Sequence, residues 1–278
     1  MLYLVGTPIG NLGDLSDRAK EILASVDRIA CEDTRRTGLL LSRLGIQNRL
    51  ISYHEHNRAS KGAYLITLLM SGEKIALVSD AGMPCVSDPG EDLVRLCAEK
   101  EIPVTVIPGP VAGIAALSLS GLDTSRFVFE GFLPTEGKAR KDRLRVVSDS
   151  ETTVILYEAP HRLQKTLGDL SQSGCGSRRI AICRELTKKY EEVIRTTVDE
   201  AIIRLEEKSP KGEFVLVLEA RSHESSDVGS TLTEEERMKR MLGLREDGLS
   251  TKEIAAILAE EWHEPKKNLY SWIIKMIN

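Results

Sequence analysis

The chain has 278 residues, of which 41% are hydrophobic and 29% are charged, and its formal net charge is −4. These values are ordinary for a globular protein and exclude wholesale disorder. The sequence has no apolar run near the ~18 residues that a membrane span needs, and it starts without a basic, cleavable leader, so we expect neither membrane insertion nor classical secretion. The slightly acidic balance is not typical of a polyanion-binding protein, so any nucleic-acid contact must come from local patches.

The five cysteines form no CxxC pair and no regular framework. This pattern favours reduced, mostly buried thiols and a cytoplasmic location. The nearest approach to a metal motif is His54-Glu55-His56, where strand alternation would place both imidazoles on one face. A zinc site has no further support in the sequence, and we predict no metal site.

Residues 1–112 alternate between strand and helix patterns, which predicts a mostly parallel sheet. Short apolar runs predict strands, and spaced apolar residues predict helices between them. The strands are expected at 2–5, 28–32, 50–53, 75–78 and 104–107, and the helices at 15–24, 37–44, 59–70 and 92–100. This stretch is our N-terminal α/β lobe.

Strand patterns outnumber helix patterns over residues 113–220, which favours a second α/β lobe with a mixed sheet. Strands are expected at 127–132, 153–157, 179–183, 193–197 and 214–219, and helices at 113–120, 139–147, 161–170 and 198–205. We interpret the polar segment 221–232 as a linker. The predicted fold class is therefore α/β, with two lobes, a ligand cleft between them and a small helical domain after the linker.

Residues 233–278 predict that helical domain. Ser250-Thr251-Lys252-Glu253 is a capping-box pattern, and we expect both tryptophans of the chain to form a small core here. The segment 248–255 resembles the opening of a helix-turn-helix, although the segment from Glu264 is about one residue out of the usual register. Eight basic and nine acidic side chains balance in this tail, so strong nonspecific DNA binding is not expected.

Three loops rich in glycine and proline follow predicted strands, at 6–14, 79–90 and 107–112. Glycine lets the backbone approach a ligand closely, and proline fixes a loop before binding. One such loop is usually a plain turn. Three of them at neighbouring strand ends favour a common ligand cleft, because ligands of open α/β sheets bind outside the carboxyl ends of the strands.

The residues of these three loops restrict the class of ligand that could bind there. Neither GxGxxG nor GxxxxGK[ST] is present, so a dinucleotide or a triphosphate has no support. Asp80, Asp88 and Glu91 would repel a polyphosphate. A small ligand with an adenine, a ribose and a cationic centre would be accepted, which fits S-adenosylmethionine without singling it out.

Seven motifs in chain order carry a family resemblance from residue 6 to residue 215, and each is weak alone. They are Gly6-Thr7-Pro8-Ile9-Gly10-Asn11-Leu12, Glu32-Asp33-Thr34-Arg35, 79–90, Pro108-Gly109-Pro110, Tyr157-Glu158-Ala159-Pro160-His161-Arg162, Arg184-Glu185-Leu186-Thr187-Lys188 and Gly212-Glu213-Phe214-Val215. Through them the chain resembles the ribosomal RNA small subunit methyltransferase I family of the tetrapyrrole-methylase-type superfamily. One departure is Pro110-Val111-Ala112, where Pro-Ser-Ala is more usual.

The resemblance implies S-adenosyl-L-methionine as cofactor, a homodimer, and methylation of a cytidine ribose 2′-hydroxyl in 16S ribosomal RNA or the small ribosomal subunit. It also implies a set of cofactor-binding residues. These are Ile9, Gly10, Asp80, Gly82, Pro84, Pro108, Gly109, Pro110, Tyr157 and Glu213. For each glycine and proline in this set, turn geometry alone is the alternative.

Methyl transfer to a ribose hydroxyl would profit from a base, or from a cation beside the developing alkoxide. The catalytic candidates are Glu32, Asp33 and Lys188, with Asp80 and Glu158 as further carboxylates. The alternative for Asp33 is a local ion pair with Arg35 or a helix cap. The alternative for Lys188 is a solvated surface lysine without a catalytic role. The sequence does not choose among them.

A basic segment predicts RNA contacts, because residues 138–145 carry five positive charges and one negative charge. The RNA-binding candidates are Lys138, Arg140, Lys141 and Arg143, together with Arg162. A second basic set near the cleft comprises Arg178, Arg179, Arg184, Lys188 and Lys189. A solvated helix face is the alternative for the first set.

Two other functions stay open. The first is a related transferase that acts on a tetrapyrrole or on a modified protein histidine. The basic segment and the helical tail make this alternative less favoured. The second is a noncatalytic regulator that senses a small ligand in the cleft and binds nucleic acid through the tail.

Overall fold

The computed structural model of the chain describes residues 1–206, 211–221, 234–246, 248–262 and 266–277. Residues 1–221 form one compact unit and residues 222–278 form another. The predicted linker at 221–232 lies outside the described residues, except for Arg221. In the described part of the chain, no helix is long and apolar enough to cross a membrane.

The first sheet has five parallel strands in the order β3-β2-β4-β1-β5. The strands are β1 (Leu2–Val5), β2 (Arg28–Cys31), β3 (Leu50–Ser52), β4 (Ile75–Val78) and β5 (Val104–Ile107), and the helices between them are α1 (Asp17–Ser25), α2 (Thr34–Arg43), α3 (Arg58–Met70) and α4 (Glu91–Glu99). Every residue of the central β4 is buried, as its unbroken apolar run predicts.

Helix α2 starts three residues before its predicted first residue, Thr37. Asp33 explains the difference, because its carboxylate accepts the backbone N–H of Arg35 and caps the helix. Ser16 caps α1 in the same way by accepting the N–H of Ala19. Apolar spacing alone missed the capped first turn of α2.

The second sheet is mixed, as predicted, in the order β6-β7-β10-β8-β9. Strands β6 and β7 are parallel, and the other neighbours are antiparallel. The elements are α5 (Ala112–Ser120), β6 (Phe127–Phe132), α6 (Gly137–Ser148), β7 (Thr153–Glu158), α7 (Leu163–Leu170), β8 (Arg179–Arg184), β9 (Glu192–Thr197), α8 (Val198–Glu206) and β10 (Phe214–Leu218). The predicted helix at 161–170 begins later, because residues 160–162 form a separate 3₁₀ turn.

Helix α5 follows the last strand of the first sheet but packs against the second sheet. Its Ala116 and Leu117 share an apolar cluster with Ile155 of β7. Ile9, from the loop after β1, is 9% exposed and joins the same cluster. The loop ends of the first sheet are therefore fixed against one face of the second sheet.

The second unit contains the helices α9 (Glu234–Glu246), α10 (Thr251–Glu261) and α11 (Lys266–Ile277) among its described residues. The predicted capping box at Ser250 and Glu253 is present. Trp262 and Trp272 pack edge to face with their ring centroids 5.9 Å apart, beside the buried Leu258. The tryptophan core is thus confirmed, whereas Glu264 and Pro265 lie outside the described residues.

Candidate active site

A cavity of about 450 Å³ lies where the carboxyl ends of the first sheet's strands face the second sheet, and we call it the main cavity. Its volume is within the ~300–1,000 Å³ of ligand pockets. Loops after β1, β2, β4 and β5 line one side, and the end of β7 and the start of β10 line the other. Glu158 and Phe214 are paired in the antiparallel register, so residues far apart in sequence meet at this wall.

The three glycine-rich loops touch one another behind the main cavity. Thr7 and Gly82 exchange backbone hydrogen bonds of 2.9 and 3.1 Å. A Cβ atom on Gly6 would lie 2.6 Å from the Cα of Gly109, so neither residue can carry a side chain without movement of the loop. Sequence composition predicted a common cleft at these loops, and the geometry explains why glycines stand there.

Five acidic residues line the main cavity, and three of them belong to loops of the first sheet: Glu32 after β2, and Asp80 and Asp88 after β4. Burial, together with the negative charges of Glu32 and Asp80, raises the pKa of Asp88 to about 6. Burial and the charge of Asp80 also raise the pKa of Glu32. The negative charge of Asp80 is better compensated than that of Asp88, because the Asp80 carboxylate accepts the N–H of Asp33 at 3.1 Å and pairs with Arg36 at 3.1 Å. The cluster gives the cavity a negative potential, which favours a cationic ligand.

Five of the ten predicted cofactor residues line the main cavity: Ile9, Asp80, Gly82, Tyr157 and Glu213. The other five do not line it. They are Gly10, Pro84, Pro108, Gly109 and Pro110. Among these, the carbonyl of Pro110 lies 3.3 Å from where a Cβ on Gly82 would stand, and Gly10 packs against Lys188. Gly10, Gly109 and Pro110 therefore support the loops behind the cavity.

Tyr157 and Glu213 are the predicted cofactor residues that lie on the second sheet's side of the main cavity. The hydroxyl of Tyr157 accepts the N–H of Gly113 at 3.1 Å, and its ring packs edge-on against Phe129 and Phe132. Burial raises the pKa of Tyr157, so the phenol stays neutral. Glu213 is largely exposed and pairs with the ammonium of Lys188 at 2.9 Å.

Comparison with known proteins identifies the family. The model of the tetrapyrrole (corrin/porphyrin) methylases matches residues 1–202. The chain is 46% identical over 276 residues to ribosomal RNA small subunit methyltransferase I of Synechocystis sp., a match that covers 99% of this chain and 98% of that protein. It is 44% identical to the protein of the same name from Escherichia coli O157:H7, over 99% of this chain and 94% of that one. The chain belongs to the ribosomal RNA small subunit methyltransferase I family.

Solved structures with a similar fold include a diphthine synthase, with a TM-score of 0.64 and 14% identity over 80% of this chain and 90% of that one. A uroporphyrin-III-C-methyltransferase from Thermus thermophilus gives a TM-score of 0.54 and 22% identity, over 78% of this chain and 93% of that one. At these identities the likeness shows the fold alone.

The three catalytic candidates that the sequence offered occupy different places in this family member. Glu32 lines the main cavity, whereas Asp33 and Lys188 do not. Hydrogen bonds from the side chain and backbone of Arg35 hold the pKa of Asp33 at about 2, which makes it a poor base. Burial opposes the charge of Lys188, but hydrogen bonds to Glu213 and Glu185 outweigh burial and raise its pKa, so Lys188 stays protonated.

The structure divides the predicted RNA-binding residues into two groups. On α6, Lys138 and Lys141 are exposed, and Arg143 is half-exposed and pairs with Glu130 at 3.0 Å. Arg162 is largely buried and donates to the carbonyls of Leu133 and Pro134. Only the first group faces solvent.

The prediction that Arg140 contacts RNA is wrong, because its side chain is 4% exposed. The guanidinium donates to the Asp169 carboxylate at 2.7 Å, to the Pro134 carbonyl at 2.9 Å and to the Thr166 hydroxyl at 2.9 Å. Thr166 in turn donates to the buried carboxylate of Glu158, a residue that lines the cavity. Arg140 therefore connects α6 to the main cavity from the inside of the protein.

Sequence reasoning missed Asp88 as a candidate for chemistry, although it named the loop that holds it. The signal was weak because Asp88 is one of several acidic residues between 79 and 92. Its distinguishing features are burial and the approach of Glu32 from another strand end, and both depend on the tertiary structure.

Replacement of Gly82 by valine is expected to weaken cofactor binding by about tenfold or more, a loss of ~1.4 kcal/mol or greater. Gly82 has a φ of +82°, and a Cβ there would stand 3.3 Å from both Ile9 and Pro110. Isothermal titration with S-adenosylmethionine measures the change. Gly72→Val is the matched control, because Gly72 has a φ of +95° but open space around it. Equal affinities for the two variants would contradict this assignment of the loop.

Arg140→Ala is expected to lower the free energy of unfolding by about 3 kcal/mol, because it leaves the buried Thr166 and the partly buried Asp169 and Pro134 acceptors without their donor. Lys141→Ala, one residue further along α6, is expected to change it by no more than about 0.5 kcal/mol. Urea unfolding followed by circular dichroism measures both. If the two variants were equally stable, the buried network would not be a structural element.

Proposed function

We propose that this protein is an S-adenosylmethionine-dependent methyltransferase that methylates the ribose 2′-hydroxyl of a cytidine in 16S ribosomal RNA, in the cytoplasm. The observation that carries the proposal is the similarity to ribosomal RNA small subunit methyltransferases I, at 46% and 44% identity over nearly the whole of both chains. The similarity extends beyond residue 202, where the superfamily model ends, and so includes the helical unit.

The main cavity suits the proposed cofactor in shape and charge. Its walls include the apolar side chains of Val86, Val111 and Phe132, against which an adenine can pack, and backbone groups at Gly82 that a ligand can approach closely. Glu32 and Asp88 supply negative charge for a sulfonium. When bound, S-adenosylmethionine supplies an electrophilic methyl group.

The exposed face of α6 supports contact with the RNA backbone. Lys138 and Lys141 point to solvent and form no ion pair with a described residue. Arg143 adds a third cation that is half-exposed. Such contacts orient an RNA without choosing a base, which leaves the choice of nucleotide to the cavity.

An uncovered apolar surface supports the homodimer. Strand β6 lies at the edge of its sheet and exposes side chains on both faces, with Phe127 and Val128 each 40% exposed and Phe129 36% exposed. Val106 of the edge strand β5 and Ile114 of α5 are each 45% exposed, and Phe129 packs beside the first turn of α5. Exposed apolar edge strands usually pair or are covered, and a second copy of the chain would cover this surface.

The activity is tested by transfer of labelled methyl from S-adenosylmethionine to small ribosomal subunits isolated from cells that lack this enzyme. We expect one methyl group per subunit, on a cytidine ribose, detected as resistance of one phosphodiester bond to alkali. A reaction without the enzyme is the negative control, and Gly82→Val is expected to need more cofactor for the same rate. Methylation of a base, a tetrapyrrole or a protein instead, or cofactor binding without any transfer, would overturn the proposal.

The dimer is tested by introducing charge into the apolar surface. The double variant Val106→Asp and Val128→Asp is expected to sediment as a monomer at micromolar concentration, where the unmodified chain sediments as a dimer, because each buried carboxylate would lose its hydration. Ile203→Asp is the control, since Ile203 is 70% exposed on α8. A wild-type chain that sediments as a monomer contradicts the proposal.

A further inference from the structure

A second cavity of about 840 Å³ adjoins the main cavity. It is lined by the starts of α3 and α4 and by the loop before α4. Three residues, Glu32, Ser87 and Asp88, line both cavities. The two spaces therefore meet at a common wall that carries two carboxylates and a hydroxyl.

Methyl transfer requires such an arrangement of adjoining spaces. The acceptor oxygen must approach the methyl carbon along the bond that breaks, at a distance of ~3–3.5 Å before reaction. With the cofactor in the main cavity, a neighbouring cavity that shares its wall is where an acceptor oxygen can reach the transferred group.

The charges of the second cavity differ between its wall and its rim. The wall contains Glu32, Asp88 and Asp92, which are all partly buried. The Asp92 carboxylate accepts a hydrogen bond of 2.5 Å from the hydroxyl of Tyr53. The rim holds Arg58 and Arg95, whose side chains are 52% and 65% exposed and pair with Glu55 at 3.1 Å and with Glu99 at 3.3 Å. Glu55 and Glu91 also line the rim, so a phosphate would have to displace a glutamate from an arginine. Carboxylates inside accept hydrogen bonds from hydroxyl and amino groups, and arginines outside bind phosphates.

A nucleotide matches this distribution of charge. Its ribose hydroxyls and the exocyclic amino group of a cytosine are donors for the carboxylates, and its flanking phosphates are acceptors for the arginines. A tetrapyrrole bearing carboxylates would meet like charge at the wall. Only a nucleoside that is unstacked or in a single strand can enter such a cavity.

We propose that the second cavity binds the acceptor nucleoside and that Asp88 takes the proton of its 2′-hydroxyl. This inference rests on the proposed function. In the step, the 2′-oxygen forms a bond to the methyl carbon, the sulfur–methyl bond breaks with its electron pair going to sulfur, and the hydroxyl proton passes to the Asp88 carboxylate. The sulfonium becomes a neutral thioether, so charge and atoms balance.

Asp88 fits the role better than its neighbours. Asp80 is held by Arg36 and by the N–H of Asp33, whereas Asp88 has no ion pair with a described residue. Burial and like charges place its pKa at about 6, so at neutral pH it is ionised but still basic. The ionisable residues that line the two cavities with it are Glu32 after β2, Arg36 on α2, Glu55 before α3, Arg58 on α3, Asp80 and Cys85 after β4, Glu91, Asp92 and Arg95 on α4, Tyr157 and Glu158 on β7, and Glu213 before β10.

The proton transfer is tested by single-turnover methyl transfer to small ribosomal subunits at saturating cofactor, from pH 5 to pH 8. Because the carboxylate form is the active one, the wild-type rate is expected to fall as the pH drops below about 6. At saturating cofactor, Asp88→Asn is expected to lose about 100-fold or more in rate and to lose this acid limb. A flat wild-type profile overturns the role of Asp88 without recourse to any variant.

The binding of the nucleoside is tested separately. The double variant Arg58→Ala and Arg95→Ala is expected to raise KM for the subunits about tenfold with little change in kcat, since it removes phosphate contacts at the rim. Arg43→Ala, at the far end of α2, is the control. An unchanged KM in the double variant overturns the assignment of the second cavity. If the wild-type chain transfers no methyl at all, the proposed function fails rather than this inference.

Discussion

The contact between the backbones of Gly6 and Gly109 sets the geometry on which the active site depends. The Cα of each glycine occupies the space that a side chain on the other would need, and the neighbouring Thr7 and Gly82 add a two-way hydrogen bond. Three loops from separate strands are thereby joined with no side chain between them. These contacts fix the loops that form one wall of the cavity, so less entropy is lost when a ligand binds.

The first unit carries clusters of opposite charge in two different places. Carboxylates from two strand ends gather inside, where burial makes their mutual repulsion costly and shifts their protonation toward neutral pH. The exposed cations Lys138 and Lys141 stand on α6 instead. A cationic cofactor and a polyanionic RNA can thus be bound by one protein, because each meets the opposite charge in a different place.

Much of the fold could be predicted from the sequence, because local patterns dominate it. The apolar runs at 2–5, 75–78 and 104–107 are strands with those bounds. The cleft was predicted from glycine and proline at three strand ends. Arg140 was not predictable from its segment, since a run of five cations on a helix gives no sign that one of them turns inward to Asp169. Asp88 was missed for the same reason, because its environment is supplied by Glu32, which lies 56 residues earlier in the sequence.

The packing of Ile9 has a consequence for how the enzyme exchanges its small molecules. Ile9 belongs to a loop of the first sheet, lines the main cavity and is buried in the apolar cluster of the second sheet. Hinged separation of the two sheets would pull this side chain into water, at a cost of about 1.5–3 kcal/mol, and would expose its partners in α5 and β7 as well. An arrangement with the two sheets apart is therefore a minor state of the free protein. A small molecule that could enter only through that state would bind about tenfold or more weakly than one that enters the closed arrangement.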